Sequence, residues 1–125
     1  MRLSHLRLNI KPLSVNKAWK GKRYRTDEYR KYQRDISLLL MPMEIPEGPL
    51  QLEIMWGFSN MGGDVDNPIK CFQDCLQKKY AFNDSKIQRL IVEKQRVKKG
   101  HEFIDFKITS FNRGLKPEGN ARLHA

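Results

Sequence analysis

Asp64 and Asp66 are the residues whose type and spacing point most directly to chemistry. They lie two apart, just after the glycine-bearing stretch Ser59-Asn60-Met61-Gly62-Gly63 and just before a helix start. In an extended backbone their side chains share one side of the chain and Val65 points away, so both carboxylates can converge on one cation. Carboxylate oxygens suit Mg2+, with Mn2+ able to take its place, because such an ion needs only one or two carboxylates when water and a substrate phosphate complete its shell. An ion held there activates water and stabilises the oxygen leaving a phosphodiester. Lys70, in the first turn of the following helix, is a cation where the helix dipole favours an anion; beside carboxylates it can bind the phosphate or the charge that develops on it. Asp84 is the third acid of the set. It stands in the turn Ala81-Phe82-Asn83-Asp84-Ser85, beyond a helix of about 12 residues or roughly 18 Å. It reaches the pair only if the chain folds back, which a pairing of the strand from Ile87 with the strand from Leu50 could achieve. The plain alternative is that all three acids are turn or cap residues and Lys70 a solvated lysine.

The rest of the chain is cationic. Lys and Arg number 24 against 14 acids, for a net charge of +10 and a pI near 9.8, a balance that favours a polyanionic partner: nucleic acid first, an acidic membrane surface second. Much of the excess lies in the stretch from Ser14 to Arg25, where Asn16, Lys17, Lys20, Lys22, Arg23 and Arg25 are interleaved with Trp19 and Tyr24. Cations neutralise phosphates and release counterions while aromatic rings stack on exposed bases, so this stretch is read as a long DNA-contacting loop. A second set of Lys and Arg between Arg89 and Lys99 reads equally well as a solvated strand face.

These residues need a scaffold. Leu6, Leu8 and Ile10 alternate as a strand that Pro12 ends. Thr26 followed by Asp27 and Glu28 starts a helix, with Tyr29, Tyr32, Ile36, Leu39 and Leu40 at helical spacing up to about Met41 and Pro42 beyond it. After Gly48-Pro49, Leu50 to Phe58 is the clearest strand. Asn67 as N-cap and Pro68 at the first position open a second helix that runs to about Lys79. Ile87 to Val97 reads as a strand, Lys98 to His101 as a hairpin turn, and Phe103 to Phe111 as the returning strand. The order is β-α-β-α-β-β, without internal repeats. It implies one small domain over residues 1–125, of the α/β or α+β class, with a mixed sheet, two helices packed on it, and a polar tail from about residue 112.

Cys71 and Cys75, four apart on the second helix, have poor geometry for a bridge and are expected as buried free thiols in a reducing compartment. The longest apolar run, Ile36 to Met43, contains Ser37 and Pro42 and cannot span a bilayer. The N-terminus lacks an unbroken apolar signal core, so a cytoplasmic protein is expected.

Asp64-Val65-Asp66-Asn67-Pro68-Ile69-Lys70 fits the pattern Asp-x-Asp-Asn-x-x-Lys. Together with the turn Asn83-Asp84-Ser85-Lys86-Ile87 and the upstream Pro12-Leu13-Ser14-Val15-Asn16 with its basic, aromatic loop, it resembles the RusA family of Holliday-junction resolvases, common in phages and prophages. The resemblance spans roughly residues 6 to 110. It implies a crossover junction endodeoxyribonuclease in which Asp64, Asp66 and Asp84 are Mg2+-dependent catalytic carboxylates and Lys70 is the basic residue near the phosphate. It also implies a homodimer that binds four-way DNA and nicks two strands symmetrically in recombination and repair. The chain departs from the family pattern at Asn83, where an acid is common, and at Pro68, where an apolar residue is usual. The competing readings are a non-enzymatic DNA- or RNA-binding protein, whose binding would ignore divalent metal, and a related nuclease for other branched or duplex DNA.

Overall fold

The structure is a computed structural model that describes residues 4–21 and 24–112. The expected polar tail, apart from Asn112, and two of the expected DNA-contacting residues, Lys22 and Arg23, lie outside them. Six strands and two helices follow one another as β1 (His5–Leu8), β2 (Trp19–Lys20), β3 (Tyr24–Arg25), α1 (Asp27–Leu39), β4 (Leu50–Phe58), α2 (Ile69–Tyr80), β5 (Ile87–Arg96) and β6 (Phe103–Ser110). Short 3-10 turns precede β2 and β5. The class is α+β, with a four-stranded mixed sheet and a separate two-stranded one.

Local chemistry sets the elements. The Thr26 hydroxyl accepts from the Tyr29 N–H at 3.1 Å, satisfying one of the free amides at the start of α1. α1 turns Tyr29, Tyr32 and Ile36 inward, and α2 turns Cys71, Phe72, Cys75 and Leu76 inward. Alternation along β4 and β6 presents Leu50, Leu52, Ile54, Trp56, Ile104, Phe106 and Ile108 to the same core. Phe72 joins helix to sheet, its ring edge-on to Trp56 at 5.9 Å and to Phe106 at 5.2 Å. Both thiols are free and buried, as expected. Burial pushes Cys71 up to about 11 and Cys75 up to about 12, so both stay protonated at neutral pH.

Three expectations are corrected. The sheet order is β1-β6-β4-β5, with β4 parallel to β5 and antiparallel to β6. The turn at Lys98–His101 does reverse the chain, its His101 N–H bonded to the Lys98 carbonyl at 2.9 Å. The strands it joins are not neighbours, however, because β4 lies between them; turn chemistry encodes the reversal and not the pairing. The basic stretch is not an unstructured loop either. It forms a 3-10 turn over Val15–Lys17 and the hairpin β2–β3. Gly21 at φ +70° allows that hairpin to turn, and the Thr26 N–H and hydroxyl bond the carbonyls of Ala18 and Lys17 to close its base. Two-residue strands are too short to leave a period in the sequence. Finally, α2 begins at Ile69 with Pro68 in the cap position and no side-chain cap, so Asn67 does not act as one.

Candidate active site

The segment from Ser59 to Pro68 joins β4 to α2 and is fixed by groups that come from elsewhere in the fold. Trp56 is fully buried, and its indole N–H donates to the Val65 carbonyl at 2.7 Å. Lys94, the register partner of Trp56 on β5, donates its Nζ to the carbonyls of Gly63 at 2.8 Å and Met61 at 3.1 Å. The Val15 N–H donates to the Asn67 carbonyl at 3.0 Å, tying the basic stretch to the foot of α2. Ser59 donates to Glu102 at 2.6 Å. That bond, with help from the backbone N–H groups of Glu102 and Gly100, holds the Glu102 carboxyl below the usual carboxylate range.

Asp64 and Asp66 are exposed, while Val65 between them is half-buried and packs against the core. Val65 therefore points away from the acids, as expected, but for another reason. Residues 65–68 are wound into turns, with the Asn67 N–H reaching toward the Asp64 carbonyl at 3.4 Å and the Ile69 N–H bonded to Asp66 at 3.1 Å. The extended backbone assumed from the two-residue spacing is absent. It is burial of Val65 that divides the side chains.

Asp64 and Lys17 line one cleft of about 410 Å3, together with Ser14, Glu28, Asn67 and Glu102. Asn16, Lys20 and Arg25 are also exposed; Arg25 donates to the Gln33 side-chain oxygen at 2.6 Å. Trp19 leans edge-on against Tyr29 at 5.6 Å, which leaves Tyr24 the more open ring. Lys70 is exposed, its ammonium 3.7 Å from Asp74 one turn along, a solvated pair that leaves the lysine available to a phosphate.

Asp84 is not brought to the pair. The fold-back that the sequence required does occur, but in a parallel register that sets Ile87 beside Leu50. The start of β5 therefore lies at the start of β4, whereas Asp64 follows the other end of that nine-residue strand. Among the described residues no group of three or more His, Cys, Asp or Glu side chains could hold a metal ion. Asn83 accepts from the Ser85 N–H at 2.9 Å and so serves its own turn. Two exposed carboxylates still match a hard cation that takes one or two of them and completes its shell with water and phosphate.

Sequence reasoning missed Trp56, Lys94 and Glu102 as parts of this site. The signal for Trp56 was present, since a buried indole N–H must find an acceptor. Lys94 looks like any solvated strand lysine until the parallel pairing is known.

The fold is thus a small mixed sheet covered by two helices, with an acidic loop opening one helix and cations across the same cleft. The family model for endodeoxyribonuclease RusA matches residues 11–106, and the chain belongs to that family. No curated protein matches the chain. No helix among the described residues is long and apolar enough to cross a membrane.

Proposed function

We propose that this protein is a Mg2+-dependent, structure-selective endonuclease that resolves four-way DNA junctions by paired symmetric nicks, as a homodimer serving recombination and repair in the cytoplasm of a bacterial or phage-infected cell. The observation that carries the reading is the shared cleft of Asp64 and Lys17, an acid and a cation brought together from segments some fifty residues apart. Asp64 and Asp66 would hold the ion, which when bound supplies water activation and charge neutralisation at the leaving oxygen. Lys17 and Lys70 orient the phosphodiester by its non-bridging oxygens. Trp56, Lys94 and Val15 keep the acid loop in place so that its carboxylates need not reorganise when DNA arrives.

A role for Asp84 follows from the dimer. Because α2 separates it from the pair in one chain, Asp84 of one subunit serves the Asp64–Asp66 pair of the other, in a two-fold arrangement that matches the two opposed strands of a junction.

The test is cleavage of a synthetic four-way junction, a Y-fork and linear duplex, with Mg2+ and with chelator. Chelator is expected to abolish cleavage, the junction to be cut fastest, and Asp66→Asn to lower the rate by about 100-fold or more; unaltered Asp66→Asn activity refutes the reading. Asp64→Asn and Asp84→Asn, each inactive alone, are then mixed. If Asp84 acts across the dimer, exchange restores about a quarter of the sites; no recovery from exchanged dimers returns Asp84 to its own chain.

A further inference from the structure

α1 separates two clefts of different character. Glu28, Lys31, Tyr32 and Asp35 line the cleft that holds Asp64. On another face of the same helix, Arg30, Gln33, Arg34, Ser37 and Leu38 line a larger groove of about 720 Å3, completed by Arg25 of β3 and by Cys75, Lys78 and Lys79 of α2. The first cleft mixes acids with cations. The groove is lined by five cations and no acid.

This charge arrangement does little for the fold. Arg30 and Arg34, four apart on α1, repel each other. Within the groove Arg25 is bonded to the Gln33 side chain, Arg30 to the fully exposed Asp27, and Lys79 to the Ser37 carbonyl. Arg34 and Lys78 make no ion pair among the described residues, and both are exposed. Lys78 and Lys79 suit the end of the α2 dipole, but that does not account for three arginines facing them. A second copy of this chain is a poor occupant, because a two-fold contact through the groove would set the cations against themselves.

We propose that the α1–α2 groove is a second DNA contact surface, which seats the sugar-phosphate backbone of a duplex arm away from the bond that is cut. The proposal rests on the endonuclease reading above. The hairpin β2–β3 links the two clefts, since Arg25 lines the groove and the 3-10 turn just before the hairpin carries Lys17 into the acid cleft. An arm in the groove would thus run one helix width, about 10 Å, from the acids. Phosphate contacts of this kind fix register and orientation without reading sequence.

The experiment measures equilibrium binding of the full chain to a labelled four-way junction over a series of salt concentrations, with chelator present to prevent cleavage. Arg34→Gln combined with Lys78→Gln removes two phosphate contacts. The slope of log affinity against log salt is expected to become shallower by about two, and affinity near 0.1 M salt to fall by about tenfold or more. Arg34→Lys combined with Lys78→Arg should keep the wild-type slope. Lys107→Gln, which removes a cation on β6 near Glu53 and Asp105, should also leave the slope as it is, showing that net charge alone is not responsible. If the double Gln variant binds with wild-type slope and affinity, the groove does not hold DNA and an acidic protein segment becomes its better occupant. If the wild-type protein itself shows no salt-dependent junction binding, the endonuclease reading fails first and the proposal with it.

Discussion

At the start of α2 the backbone around Asp64 and Asp66 is fixed from three outside directions: by Trp56 of β4, by Lys94 of β5 and by Val15 of the basic stretch. At its end the turn bearing Asp84 takes its hydrogen bonds mainly from within, while Phe82 and Ile87 on either side pack against the core. Gln77 accepts the Asp84 N–H at 2.9 Å and Asn83 accepts that of Ser85, and the more distant tie from Lys86 to the Pro46 carbonyl is 3.5 Å long. A segment cross-linked to the sheet opens only when much of the domain opens, whereas a locally bonded turn moves at small cost. The difference suits one end to fixing geometry and the other to adapting, as the cross-dimer role proposed for Asp84 requires.

Variants can break or sharpen this contrast. The largest effect away from the carboxylates is expected from Trp56→Phe, which keeps an aromatic ring in the core but leaves the Val65 carbonyl without its donor. It should cost about 1–3 kcal/mol in denaturant unfolding and lower junction cleavage by about tenfold or more. Lys94→Met should lower cleavage by several-fold to about tenfold while costing less than about 1 kcal/mol, since its bonds are at the half-exposed rim. If it destabilises as much as Trp56→Phe, the loop is part of the core and not a supported site. Gln77→Ala at the other end should cost about 0.5–1 kcal/mol and change cleavage by less than Lys94→Met; a larger loss of activity would mean that the Asp84 turn is also pre-set. Tyr32→Phe should be the mildest. Among the described residues the buried Tyr32 hydroxyl has no hydrogen-bond partner, so its removal is expected to leave the melting temperature unchanged or slightly higher.

The readable parts of the sequence were those governed by near neighbours. Thr26, the alternation through β4 and the inward stripe of α2 each encode their own geometry, and the i, i+4 spacing of Cys71 and Cys75 was enough to leave them as free thiols. Asp64 and Asp66 were legible as exposed acids flanking an inward valine, although the backbone carrying them is a turn. What could not be read was long-range register. A parallel and an antiparallel pairing of β4 with β5 are equally compatible with two alternating strands, yet only one of them delivers Asp84 to the far end of the sheet. Lys94 owes its position beside Gly63 to that same register.

The placement of β6 bears on how the molecule is made. Among the described residues both neighbours of the central strand β4, and the one sheet neighbour of β1, follow in the last third of the chain. During synthesis β4 therefore has no sheet partner until β5 has emerged, and β1 none until β6 has. Nearly all the strand pairing then forms over long sequence separations, which makes acquisition of the fold slow and cooperative. The apolar strand Leu50–Phe58 keeps one edge open to wrong partners until β6 closes over it.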